Sequence, residues 1–67
     1  MEFKTFGVNL AKARIAKGLS QYELSLRIGK STNYIHRVEI GDVNISLKSL
    51  LGICKALEID PCELFRT

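Results

Sequence analysis

Leu19-Ser-Gln-Tyr-Glu-Leu-Ser-Leu-Arg-Ile-Gly-Lys-Ser-Thr-Asn-Tyr-Ile-His-Arg-Val-Glu-Ile-Gly41 fills about a third of the chain and carries two helix starts and two helix stops. Ser20 followed by Glu23 is a capping box, in which each side chain answers the other residue's free backbone N–H, so a helix begins near Gln21. Leu24 and Ile28 are four residues apart and share a face, which should point at a core. Gly29 stops that helix, because glycine takes the left-handed conformation that closes a helix at little steric penalty. Ser31 is placed to cap a second helix two residues later. This second helix carries Ile35 and Val38 on one face and ends by Gly41.

Two short helices joined by three or four residues that include a glycine make a helix-turn-helix, whose second member lies in the DNA major groove with its N-terminal residues on base edges. Working outward, the spacing predicts a first helix from about Thr5 to Lys17, with Phe6, Leu10 and Ala13 inward, Gly18 closing it and Leu19 packed under the corner. Val8, Ala11 and Ile15 form a second, weaker apolar stripe on that helix. A fourth helix starts after Ser46 and carries Leu47, Leu50, Leu51, Cys54 and Leu57 at spacings of three and four. Asp60-Pro61-Cys62-Glu63 announces a fifth, with an N-cap, proline at the first helical position and a carboxylate three residues on. The expected fold is an all-α, five-helix bundle with the helix-turn-helix at helices two and three, residues 20–40, within a single domain of residues 1–67.

Length and charge fit that reading. A chain of 67 residues, 46% hydrophobic, can build one small core, near the lower bound for folding alone. A core that small gives only a few kcal/mol of net stability, which favours a partner subunit. Residues 1–37 hold Lys4, Lys12, Arg14, Lys17, Arg27, Lys30 and Arg37 against Glu2 and Glu23, a net of +5. Residues 38–67 hold Lys48, Lys55 and Arg66 against Glu39, Asp42, Glu58, Asp60 and Glu63, a net of −2. The basic half contains the helix-turn-helix, as binding to a polyanion requires.

No apolar run approaches the roughly 18 residues needed to span a bilayer, and the N-terminus lacks a signal peptide's apolar stretch, so a cytoplasmic protein is expected. Cys54 and Cys62 are too few for a disulfide framework and read as buried, reduced thiols behaving as small hydrophobes. A single histidine and no grouped soft ligands argue against a metal site, and no cofactor is expected. Enzyme chemistry is disfavoured, because there are no paired carboxylates in a plausible cleft and no glycine-rich phosphate loop. RNA is disfavoured because its narrow major groove does not admit a helix.

The residues resemble a known family, the Cro/C1-type helix-turn-helix domains, also called the xenobiotic-response-element or phage-repressor type, with the lambda-repressor-like fold. The resemblance runs through Phe6-Gly7, Arg14, Lys17-Gly18-Leu19-Ser20-Gln21, Glu23-Leu24, Ile28-Gly29, Tyr34-Ile35, Glu39, Gly41, Leu50, Ala56-Leu57 and Glu63-Leu64-Phe65, nearly the whole chain. Compact members of similar length include the controller proteins of restriction-modification systems. The chain departs from the commonest pattern at Ile40, Asp42 and Val43, where the family's loop is often basic. The resemblance implies a regulator that binds a pseudo-palindromic operator in double-stranded DNA as a homodimer, most simply a repressor or autoregulatory controller, with RNA polymerase as a further candidate partner. A protein-binding module of the antitoxin kind is the alternative.

In the family the residues matching Thr32, Asn33, His36 and Arg37 face the groove, and helical spacing agrees, since they lie opposite Ile35 and Val38. Arg37 suits guanine, to whose O6 and N7 a guanidinium can donate two parallel bonds; Asn33 suits adenine; Thr32 suits the thymine methyl or a phosphate. His36 reads equally well as a groove contact or a solvated side chain. By resemblance Gln21 binds the DNA backbone, where the first turn of a helix already favours an anion. Lys30, Ser31, Tyr34 and Asn44 are further candidates for phosphate, with inward packing the alternative for Tyr34. Again by resemblance, Arg14 and Glu39 pair and tie the first helix to the end of the third. Ile53 and Phe65 are left over by the expected packing and fit either the core or a two-fold dimer interface.

Overall fold

The computed structural model describes residues 3–66; Met1, Glu2, Thr67 and the side chain of Phe3 lie outside the described residues. Four α-helices, α1 (Phe3–Ala16), α2 (Gln21–Arg27), α3 (Tyr34–Glu39) and α4 (Leu47–Leu57), precede a short 3₁₀ turn, Pro61–Phe65. The expected fifth α-helix is therefore corrected to this turn, giving four α-helices among the described residues. Five residues with proline at the start hold at most one or two internal bonds, which favours the tighter 3₁₀ winding. The start signal still operates: the Glu63 carboxylate accepts from the Asp60 N–H at 3.2 Å.

The core consists of Phe6, Leu10, Leu24, Ile35, Val38, Leu50, Ile53, Cys54, Leu57 and Leu64, whereas Cys62, in the terminal turn, is exposed and not buried as expected. Every element contributes to it, so no helix can be removed without opening the whole. Leu50, Cys54 and Leu57 of the expected α4 stripe are buried, but Ile53 takes the place of Leu47 and Leu51. Leu50, Ile53, Cys54 and Leu57 face inward, while Leu47 and Leu51 are 70% and 51% exposed. Both stripes obey the helical period, and what decides between them is the position of α2 and the terminal turn, which the sequence of α4 does not contain. Ile53, left open between core and dimer interface, is fully buried and is not available to a partner subunit.

α1 lies against both α3 and the terminal turn. Gly7 makes the first contact possible, because an added Cβ there would overlap the Glu39 carbonyl oxygen. The second is tied by Asn9, whose Nδ2 donates to the Leu64 carbonyl at 3.0 Å. Phe65 is half exposed, with its ring centroid 5.4 Å from that of Phe6, so it is shared between the edge of the core and the surface. No helix among the described residues is long and apolar enough to cross a membrane.

Candidate nucleic-acid interface

α2 starts as its sequence dictates. Ser20 Oγ accepts from the Glu23 N–H at 3.0 Å and the Ser20 N–H donates to Glu23 Oε1 at 2.9 Å. That backbone bond, with the Ser20 hydroxyl, holds the Glu23 carboxyl below its ordinary range. The helix ends where Gly29 takes φ +73° and the Lys30 N–H reaches back to the Ser25 carbonyl at 3.0 Å.

The corner is longer than expected, six residues from Ile28 to Asn33. α3 begins at Tyr34, so Ser31 is not its cap and Thr32 and Asn33 lie in the turn before the helix. Ser31 instead accepts the Tyr34 N–H on its carbonyl at 3.0 Å and donates its hydroxyl to Asn33 Oδ1 at 3.3 Å. Asn33 stands at the N-cap position without a side-chain bond to the helix. The cap comes from another helix. Ser25 of α2, fully buried, accepts the Ile35 N–H on its Oγ at 3.0 Å and donates to the Gln21 carbonyl at 2.8 Å. One hydroxyl thus satisfies a free N–H in the first turn of α3 and fixes α3 on α2.

A second tie holds the far end of α3. Arg14 donates from Nε to Glu39 Oε2 at 2.7 Å and from Nη2 to Oε1 at 3.2 Å, while its Nη1 donates to the Leu19 carbonyl at 2.8 Å. Both side chains are nearly buried, 12% and 8% exposed. Gln21 joins this pair through Nε2, which donates to Glu39 Oε1 at 2.9 Å. One of its two amide hydrogens is thus committed inward.

Between these ties α3 presents an outward face. Thr32, Asn33, His36 and Arg37 are all exposed, whereas Ile35 and Val38 behind them are 0% and 2% exposed. Lys30, Ser31 and Asn44 are exposed as well. Tyr34 is half-buried against the core, with Lys30 Nζ 5.4 Å from its ring centroid. Arg37 is not free: its Nε donates to Asp42 Oδ2 at 3.1 Å. Arg27, Lys30, Lys48 and Lys55 line a groove between the end of α2 and α4, together with Glu58. Glu58 accepts from Lys17 Nζ at 2.7 Å, and that bond, reinforced by the lysine's charge, lowers its carboxyl pKa. Among the described residues no three of His, Cys, Asp and Glu gather as a metal site.

Sequence reasoning missed Ser25, Asn9 and the Asp42 partnership. Ser25 sits between two leucines and drew no assignment, although its spacing of three from Ile28 puts it on the inward side of α2. Asp42 follows the glycine that closes α3, and in the sequence it stands out only as a departure from the basic loop.

A family model described as helix-turn-helix matches residues 10–64. An uncharacterised helix-turn-helix-type transcriptional regulator of Sinorhizobium fredii, y4dJ, is 36% identical over 61 residues, which cover 91% of this chain and 79% of that protein. The crystal structure of the restriction-modification controller protein C.AhdI from Aeromonas hydrophila superposes with a TM-score of 0.89 at 43% identity, covering 94% of this chain and 96% of that one. The clp gene regulator ClgR from Corynebacterium glutamicum gives a TM-score of 0.88 at 25% identity, over 94% of this chain and 67% of its own. With the match spanning α2, the corner, α3 and the scaffold around them, the chain belongs to the Cro/C1-type helix-turn-helix family of DNA-binding transcriptional regulators.

Proposed function

We propose that the protein binds a pseudo-palindromic operator as a homodimer and regulates transcription by occupying it, as an autoregulatory controller or repressor. The observation that carries this reading is the outward surface formed by α3 and the turn before it, where Thr32, Asn33, His36 and Arg37 stand exposed over a buried Ile35 and Val38. Two recognition helices related by a two-fold axis would enter successive major grooves about 34 Å apart. Thr32 and Asn33, on the turn before α3, and Arg37 and His36, on its first turns, contact base edges. Lys30, Ser31, Asn44 and the second amide hydrogen of Gln21 contact phosphates, and Tyr34 adds its hydroxyl there.

The controller reading draws on the 43% identity to C.AhdI over nearly the full length of both chains. The dimer surface would use Phe65 together with Leu47 and Leu51, which α4 turns outward in place of Ile53. Occupancy then acts by excluding RNA polymerase, or by contacting it from an upstream site.

Selection from random duplexes tests the reading. The expected product is an enriched palindrome with half-sites about 10 base pairs apart, centre to centre. On it, Arg37→Ala should relax preference at one position in each half-site, and Lys30→Ala should weaken all sequences alike while flattening the salt dependence. Failure to enrich any palindrome contradicts the proposal.

A further inference from the structure

Backbone geometry, as well as charge, sets Asp42 beside the recognition face. Gly41 takes φ +78°, a conformation L side chains reach only at a steric penalty. This turns the chain so that the Gly41 N–H meets the Val38 carbonyl at 3.1 Å and the Asp42 N–H meets the Arg37 carbonyl at 2.9 Å. Such a Schellman closure places the residue after the glycine next to the last turn of the helix. The Asp42 carboxylate therefore lies along the Arg37 side chain and takes its Nε at 3.1 Å. The two side chains are 57% and 48% exposed, so their pair adds little to the stability of the fold.

We propose that Asp42 is a positioning residue for base readout: it pins Nε of Arg37, so that the guanidinium presents only its Nη1–Nη2 edge to guanine. This rests on the reading of Arg37 as a base contact. An arginine carries one donor on Nε and four on its two Nη atoms, and can approach an acceptor pair either through the two Nη atoms or sideways through Nε and one Nη. With Nε occupied, the end-on approach remains, and its two parallel N–H bonds match O6 and N7 of guanine. Asp42 also offsets the charge of Arg37 toward phosphates, whose attraction carries no sequence information. The acidic loop therefore gives up non-specific affinity and raises discrimination, which accounts for an aspartate in a loop that faces a polyanion.

The experiment uses the enriched duplex, four versions of it varied at the position Arg37 reads, one carrying 7-deazaguanine there, and an unrelated duplex. Asp42→Ala should bind the unrelated duplex several-fold more tightly, with a salt slope steeper by about 0.9 as the released Arg37 takes up a phosphate. The same variant should lose several-fold of its preference for guanine and much of its sensitivity to loss of N7. Asp42→Asn, whose Oδ1 still accepts from Nε, should share the gain on unrelated DNA but keep more of the preference. A merely structural role would weaken binding to every duplex, and that result overturns the proposal. So does an Asp42→Ala protein that retains full guanine preference while Arg37→Ala loses it, an outcome that leaves the base-contact reading intact. If Arg37→Ala keeps every preference, the base-contact reading itself fails and the inference falls with it.

Discussion

Replacing Glu39 by alanine removes the acceptor for three hydrogen bonds, two from Arg14 and one from Gln21. The guanidinium then stays nearly buried, at 12% exposure, with only the Leu19 carbonyl to face. Stranding one partner of a buried ion pair costs about 3 to 5 kcal/mol, and the surviving carbonyl bond puts this case near the lower end, about 3 kcal/mol. A domain of this size has roughly 3 to 10 kcal/mol in total, so the loss is a large fraction of what holds it together. In thermal unfolding followed by circular dichroism it corresponds to a fall in Tm of about 12 to 24 °C. Asp42→Ala, which breaks an exposed pair, is the control and should lose less than about 1 kcal/mol. All samples need the same protein concentration, because dimerisation makes Tm concentration-dependent. Arg14→Met combined with Glu39→Met should be more stable than Glu39→Ala alone, since no charge is then left buried without a partner. Equal melting temperatures for the Glu39→Ala and Asp42→Ala proteins would refute this account of the pair.

Ser25→Ala should cost about 1 to 3 kcal/mol in urea unfolding, because it leaves the buried Ile35 N–H without an acceptor; an effect within error would show that α3 is capped by other means. Gly7→Ala should lower stability by about 1 to 3 kcal/mol by forcing α1 away from Glu39, and an unchanged midpoint would contradict the close approach. Under native conditions a thiol reagent should modify exposed Cys62 quickly and buried Cys54, whose thiol pKa is raised by burial, only slowly; equal rates measured by mass spectrometry would contradict that placement. The Glu23 carboxyl is held below its ordinary value in the folded chain, so it contributes stability above the ordinary carboxylate range and loses it as pH falls through the lowered folded pKa. Glu23→Gln should therefore show a flatter loss of stability in acid than the unmodified chain, and parallel curves would rule the contribution out.

What the sequence made legible was local. Ser20 with Glu23, Gly29, Gly41 and Ser46 each act through neighbours within a turn, and each start or stop they mark lies within two residues of the observed boundary. The onset of α3 was misplaced for the opposite reason. Ser31 has the chemistry of a cap, but the only side chain that answers an N–H in the first turn of α3 among the described residues is Ser25, ten residues from Ile35 and on another helix. The stripe of α4 was ambiguous because two stripes, one through Leu47 and Leu51 and one through Ile53, satisfy the same period. Only the placement of α2 and the terminal turn selects between them. Arg37 was legible as an exposed candidate for base contact by type and spacing, whereas its partner Asp42 depended on the left-handed turn at Gly41 that brings the loop back along the helix.

The central claim, that the outward face of α3 enters the DNA groove, is tested most directly by an amide-resolved NMR titration of the isotopically labelled protein with the enriched duplex. The account predicts that the largest shifts cluster on the amides of residues 30–37, with a second set at the start of α2 and at Asn44, and that an unrelated duplex leaves the signals of Asn33 and Arg37 much less affected. Shifts centred instead on the outer face of α1 or on Leu47 and Leu51, or identical shifts with both duplexes, would contradict it.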